Sequence, residues 1–514
     1  MRNLTRTAGD AVPSRGPARI LALAAILSFA GAVPASAADY SPGAAGLGDP
    51  LNPGIGNGGY DVQDYDLRLR YATTDPDQAL EGDETITARA TQGLSRFNLD
   101  FAGKSIGGVS VNGMAARFKR TGEELIVTPA HPIDDGSTFT VLITAFTAVP
   151  TKITWDIHST TFFVTPDGSA TAPQPYDAHL IYPCNDHPRD KATFTFTIDV
   201  PAGHDAVANG TQTGHTTANG RTIWTYRMNH PMATELTEIA VGDWDLSATV
   251  QHDGVSIRDV TAPAITAAVQ PALALTEPQL DWMTARVGPY PFDTYGTLIV
   301  NAPLPLQLET QTLTLTRYDV FTRYPEAYWD GAQLHELAHM WFGDSVSPYS
   351  WSDLWLNEGH ATWYELVYAD DEGQLVGHTE GGWPDPQGYA TLEELMRGVY
   401  AHGDEWRKQS GPVALPESGQ VVKLFSYQVY FGGALVLYAL RQKIGESAFE
   451  QIERTWVTRY RDGVASTDDF IALATEISGD ASVTPFLRDW LYGEKTPPMP
   501  GHPDWTVNPV GSIR

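Results

Sequence analysis

The stretch GAQLHELAHMWFGD, residues 331–344, decides how the rest of this 514-residue chain is read. Apolar side chains at Leu334, Leu337, Ala338, Met340 and Trp341 predict a helix buried on more than one side. With about 3.6 residues per turn, His335 and His339 sit one turn apart on one face, so both ring nitrogens reach a single metal. Glu336 projects at an angle to that pair and is free to handle protons. Such a group of polar side chains in a buried helix needs a partner, and a metal ion is the most economical one. On a surface helix the same motif would be only a solvated face.

Glu358 follows His339 by nineteen positions, in WSDLWLNEGHATWYELVYADD (351–371). That segment is expected to be a second helix, capped by Ser352 or Asp353, and the interval allows a turn and an antiparallel return. Two imidazoles and a distant carboxylate close three sides of a zinc ion and leave the fourth for water, the arrangement of a hydrolase. Zinc brings the pKa of such a water to about 7, and a carboxylate within reach takes its proton and delivers it to a leaving amine. Glu365, seven residues after Glu358 and on the same helix face, keeps two readings: acceptor for a ligand histidine, or surface carboxylate.

HELAHMWFGDSV (335–346) and WSDLWLNEGHATWYE (351–365) resemble the zinc aminopeptidases of the gluzincin group, the family that includes aminopeptidase N and leukotriene hydrolase. YPCNDHPRDKATFTFTIDVP (182–201) resembles the family's N-terminal β-domain signature, TELTEIAVGDW (234–244) the strand leading out of that domain, and YQVYFGGALVL (427–437) its tyrosine segment. The resemblance, in order over most of the chain, implies one zinc held by His335, His339 and Glu358, with Glu336 as general base. It also implies that Tyr430 donates a hydrogen bond to the tetrahedral oxyanion, an interaction typically worth about 2.7–4 kcal/mol. Tyr427 and Tyr438 offer the same chemistry, and only the family pattern selects Tyr430 from among aromatics of an apolar helix.

The chain departs from the family where the substrate's amino terminus is gripped. For the family's Gly-x-Met-Glu-Asn it reads LQLET (306–310), keeping the carboxylate as Glu309 but placing Leu306, Leu308 and Thr310 at the other positions. Leu306 crowds the edge where a peptide pairs, and Thr310 lacks the amide. Counting back from Cys184, the family's glutamine falls on Ala172, with Gln174 two residues away. Gly432 replaces the lysine of the tyrosine segment.

The expected fold class is α+β and multidomain: an N-terminal β-sandwich-like domain, then a thermolysin-like mixed catalytic domain with a mostly helical second half. Residues 1–37 read as a secretory signal, with a basic region ending at Arg19, the apolar run ILALAAILSFAGA and a small-residue site at Ala35-Ser36-Ala37. The run is too short to span a membrane, so the expectation is a secreted protein without an anchor. Residues 38–59 are expected as a flexible lead-in, and 60–250 as the β domain, from alternation in YDLRLRY, ETITARA, FTVLITA and FTFTIDV, with Asn209-Gly210 as a hairpin turn. Residues 251–503 are expected to form the peptidase domain and 504–514 a tail. Larger relatives continue into a C-terminal helical domain, whereas this chain ends shortly after FLRDWLYGEKTPPMP, which predicts a more open site.

The net charge is −29; the four arginines and Asp10 of the signal carry +3, leaving −32 on the remainder. That argues against nucleic acid or an anionic membrane as partner and leaves peptide substrates. The lone Cys184 rules out an internal disulfide and is expected to be a buried apolar residue. The leading expectation is an exported zinc metallopeptidase releasing N-terminal residues. The alternatives are a zinc endopeptidase or broader amide hydrolase, suggested by LQLET and Ala172; leukotriene-hydrolase-like epoxide chemistry, suggested by the NEGH spelling; and a non-catalytic zinc-stabilised binding protein, disfavoured because a structural metal needs neither Glu336 nor Tyr430.

Overall fold

Alternating apolar and polar residues from Tyr60 to Tyr71 build the central strand of the N-terminal half, burying Val62, Leu67 and Leu69 while Asp61, Arg68 and Arg70 face solvent. The computed structural model describes residues 39–72, 80–149, 151–152, 161–304, 306–375, 388–416 and 421–509; the expected signal at 1–37 lies outside them. Tyr60–Tyr71 pairs antiparallel with Leu80–Ala90 and parallel with Ala192–Pro201, inside an eight-stranded sheet. A four-stranded sheet through Leu94–Asp100 and a five-stranded sheet through Phe162–Thr165 cover its inner face. Edge-to-face aromatics lock the layers: Tyr60 on Phe97 at 5.7 Å and Tyr71 on Phe162 at 6.4 Å. Cys184 is buried against this core as a free thiol.

The second half opens on a four-stranded sheet in which Val260–Thr261, Thr297–Val300 and Thr314–Arg317 run parallel. Asp245–Leu246 completes that sheet by antiparallel pairing with Val260–Thr261, so the chain enters it ahead of the expected boundary at 250. Helices follow, notably Glu326–Ala338, Trp355–Asp371, Leu392–Ser410, Tyr427–Ile444, Glu446–Arg459 and Thr467–Ser478. Lys191 ties the halves together: its buried ammonium donates to the carbonyls of Asp344, Ser345 and Gly463, and burial lowers its pKa to about 8. Among the described residues no helix is long and apolar enough to cross a membrane.

Four local expectations are corrected. Residues 39–59 are packed: the buried Asp49 accepts from Trp351 N at 2.8 Å and faces His187 at 3.3 Å, and Asn57 N donates to Asn185. Asn209-Gly210 is no hairpin turn, because its flanking strands belong to different sheets and the Asn209 amide is drawn inward onto the Leu236 and Gln311 carbonyls. The hairpin turn lies ten residues on, at Asn219-Gly220, with φ values of 54° and 75°. Neither Ser352 nor Asp353 caps the helix Trp355–Asp371, whose cap position is Leu354; Asp353 instead accepts from both Thr467 N and Oγ1, fastening a distant helix. The tail expected from 504 is packed at its start, with Trp505 stacked on Tyr438 at 5.9 Å.

Candidate active site

The helix Glu326–Ala338 is buried from Leu334 through Ala338, and His339 closes it in helical conformation. The helix Trp355–Asp371 packs against it and carries Glu358 in its first turn. His335 Nε2 and His339 Nε2 lie 3.3 and 3.4 Å from the same Glu358 oxygen. The far side of each ring is also occupied: His335 Nδ1 lies 3.0 Å from Glu365, and His339 Nδ1 lies 3.1 Å from the Phe342 carbonyl. Those acceptors take the Nδ1–H of each ring, so each Nε2 is the atom turned to the Glu358 side. One ligand atom from each of His335, His339 and Glu358 falls within 4.8 Å of the others. Two imidazole nitrogens and a carboxylate are the donor set zinc accepts when a fourth position stays open, and a bound zinc would take the place of the Nε2 protons.

Tyr430 reaches this cluster through a helix crossing. A Cβ added to Gly359 would stand 2.9 Å from Gly433 Cα, and one on Gly433 would stand 2.8 Å from Gly359 Cα, so only paired glycines permit this approach. One turn before Gly433, the Tyr430 ring lies nearly parallel to His335, with centroids 5.9 Å apart and an interplanar angle of 10°. Tyr427 instead is exposed beside Trp406, and the Tyr438 hydroxyl sits 3.4 Å from His502 Nε2.

A cavity of about 320 Å³ holds these groups together with Glu309, Gln174, Leu306, Gln307 and Phe425. Leu308 exchanges backbone hydrogen bonds of 3.0 and 2.8 Å with Leu315, and this pairing presents Glu309 to the cavity. Gln174 Nε2 donates to Glu309 Oε1 at 2.7 Å. Counting back from Cys184 misplaced this residue: Ala172 is buried with its N–H on the Thr161 carbonyl, and the loop delivers Gln174. A lone amide flanked by Pro173 and Pro175 was the available signal. Phe425 and Gln307 carried none.

The charges are strongly coupled. Burial, opposed by the His335 and His339 imidazoles and reinforced by Glu309 and Glu358, pushes Glu336 up to about 8. Burial likewise raises Glu309, with His339 opposing and Glu358 reinforcing. Glu358 is held down to about 2 against its burial by His339 and His335, and His339 rises to about 9 against its own burial through Glu309 and Glu358. Burial, then Glu358, Glu309 and Glu336, push the Tyr430 phenol well above its ordinary value, keeping it a hydrogen-bond donor.

Residues 62–236 match the Peptidase M1 N-terminal domain, and residues 288–490 match the Peptidase family M1 domain. The chain belongs to peptidase family M1. This M1 peptidase is 30% identical to the M1 zinc metallopeptidase from Deinococcus radiodurans, whose crystal structure aligns with a TM-score of 0.74 over 88% of this chain and 99% of that one. A mutant of the Deinococcus radiodurans protein, bound to a Tyr-Ser-Ala substrate, aligns with a TM-score of 0.72 at 30% identity, over 89% and 100% of the two chains. Aminopeptidase N of Streptomyces lividans is 27% identical over 330 residues, 61% of this chain and 37% of that protein. The M1 peptidase thus spans little more than a third of the length of the curated relatives it matches. Membership implies zinc as the metal, and the donor set of His335, His339 and Glu358 fits it.

Proposed function

We propose that this M1 peptidase is an aminopeptidase that releases the first residue of peptides, and that the Glu309–Gln174 pair holds the substrate's ammonium group. The carrying observation is distance: single ligand atoms of Glu309, Glu336 and His339 lie within 4.8 Å of one another. Two covalent bonds separate a peptide's amino nitrogen from its first carbonyl carbon, so an ammonium on Glu309 presents the first peptide bond to the cluster and no later one. Gln174 orients the Glu309 carboxylate by its 2.7 Å hydrogen bond.

His335, His339 and Glu358 would hold the zinc, with Glu365 and the Phe342 carbonyl fixing the two rings. When bound, zinc supplies Lewis acidity, making water a better nucleophile near neutral pH and polarising the carbonyl. With the metal's charge beside it Glu336 would be ionised despite its burial, and its carboxylate takes the proton of the attacking water and delivers it to the departing amine. Tyr430 donates to the oxygen on which charge develops. The signal-like segment at 1–37 supports export, which amino-terminal sequencing of the protein recovered from the medium of its native host tests: a first residue of Ala38 is expected, and retention of 1–37 rejects it.

Leu306 on the cavity wall favours a second reading, an endopeptidase that tolerates a blocked amino terminus. Turnover of one peptide with a free and an acetylated amino terminus separates the two. An ammonium-anchored site loses most of its kcat/KM on acetylation; equal rates reject the exopeptidase.

A further inference from the structure

Behind His339 lies a stack of side chains that no step above uses. The carbonyl that holds His339 Nδ1 belongs to Phe342, whose ring is fully buried and stacks with two others. His360 lies over the Phe342 ring at 4.5 Å with an interplanar angle of 8°, and Tyr364 lies at 5.4 Å and 27°. His360 and Tyr364 are one turn apart on the helix that carries Glu358. Their polar ends meet a single group from another helix, Glu453 of Glu446–Arg459. The Tyr364 hydroxyl donates to Glu453 Oε2 at 2.9 Å, and His360 Nε2 stands 3.5 Å from Glu453 Oε1, too far for a good hydrogen bond. His360 Nδ1 is 2.8 Å from the Leu356 carbonyl, which fixes the ring from its other side.

A carboxylate that is only 1% exposed is costly to bury without a task, since hydrophobic replacements of the same shape are often neutral or better. Here it accepts from the Tyr364 hydroxyl and stands beside His360, the two rings stacked on Phe342. We infer that Glu453 is a positioning residue for the metal centre: through His360 and Tyr364 it clamps the Phe342 ring, and so sets the carbonyl that orients His339. This rests on the reading of His339 as a zinc ligand. Glu453 touches neither substrate nor metal; its effect is on the angle at which the His339 lone pair is presented. A ring free to tilt holds zinc less well, because outer partners of metal-bound histidines are typically worth ten- to a hundredfold in affinity.

The test is zinc affinity of the full-length protein by chelator competition, with the visible absorption of the cobalt-substituted protein as a report on ligand geometry. The parent chain binding one zinc per molecule is the entry condition; a parent that binds none rejects the ligand assignment itself, apart from Glu453. Glu453→Ala is expected to weaken zinc about tenfold and to change the cobalt spectrum. Glu453→Gln is expected to restore most of both, because its amide can accept from Tyr364 and donate to His360. Tyr364→Phe, which removes one hydroxyl and leaves the ring stack, gives a smaller loss of about threefold and serves if the alanine variant does not fold. Ile452→Ala, in the same helix and equally buried, is expected to lower the melting temperature while leaving zinc affinity and spectrum unchanged. The inference is overturned if Glu453→Ala or Tyr364→Phe keeps the parent affinity and spectrum, or if Ile452→Ala shifts them as much.

Discussion

The catalytic cavity and a pocket in the β domain are built from similar materials. The first encloses about 320 Å³ around His335, His339, Glu336, Glu358 and Glu309; the second encloses about 400 Å³ around His179, Asp186, Asp100 and Glu124. In the β-domain pocket the groups satisfy one another: His179 Nδ1 is 2.7 Å from Asp186, Asp186 also accepts from Thr234 at 2.8 Å, and Asp186 N donates to Asp100 at 2.8 Å. In the catalytic cavity the outward ring atoms are bonded and the inward ones converge. Composition alone does not distinguish the two. The direction of the lone pairs does, and that direction is set by partners on the far side of each ring.

The largest effect that would break this contrast is loss of metal. Glu358→Ala should leave the protein without tightly held zinc by elemental analysis and reduce peptide hydrolysis to background, whereas His179→Gln should retain the full metal content; equal metal in both variants would erase the distinction. Next, Glu336→Gln should keep zinc and lower kcat by about 10²–10⁴-fold, the usual range for a positioned acid–base group. A rate within threefold of the parent would remove Glu336 from the mechanism. Tyr430→Phe is expected to cost about 10²–10³ in kcat, with a melting temperature close to the parent's, because the phenol is assigned to the reaction and the ring to the packing.

The smallest effect belongs to the β-domain pocket. Burial alone would lower His179, but its hydrogen bond and charge pairing with Asp186 outweigh it and raise the group from 6.5 to about 9. A raised folded value means the stabilisation is fully present below about pH 6.5 and is lost as pH rises through about 9, with an upper magnitude of roughly 3 kcal/mol. Denaturant unfolding of the parent and of His179→Gln should therefore differ most near pH 6 and converge toward pH 9. A constant gap would show that packing, not charge, is what the imidazole contributes.

Local periodicity made much of this molecule legible from its residues. The alternation in YDLRLRY, ETITARA, FTVLITA and FTFTIDV is present as strands, and the one-turn spacing of His335 and His339 on a buried helix is present as drawn. These features report the period of the chain itself, which neighbouring side chains encode directly. Tertiary contacts decided the rest. The close passage of Gly359 and Gly433 puts Tyr430, rather than Tyr427 or Tyr438, beside His335. The path of the loop before Cys184 brings Gln174, not Ala172, to Glu309. Asp353, taken for a helix cap, fastens Thr467 more than a hundred residues away, and Asn209 turns inward while Asn219 makes the hairpin. In each case the deciding partner is distant in sequence, and a pattern of neighbouring residues carries no information about which remote atom will fill a given hydrogen bond or gap.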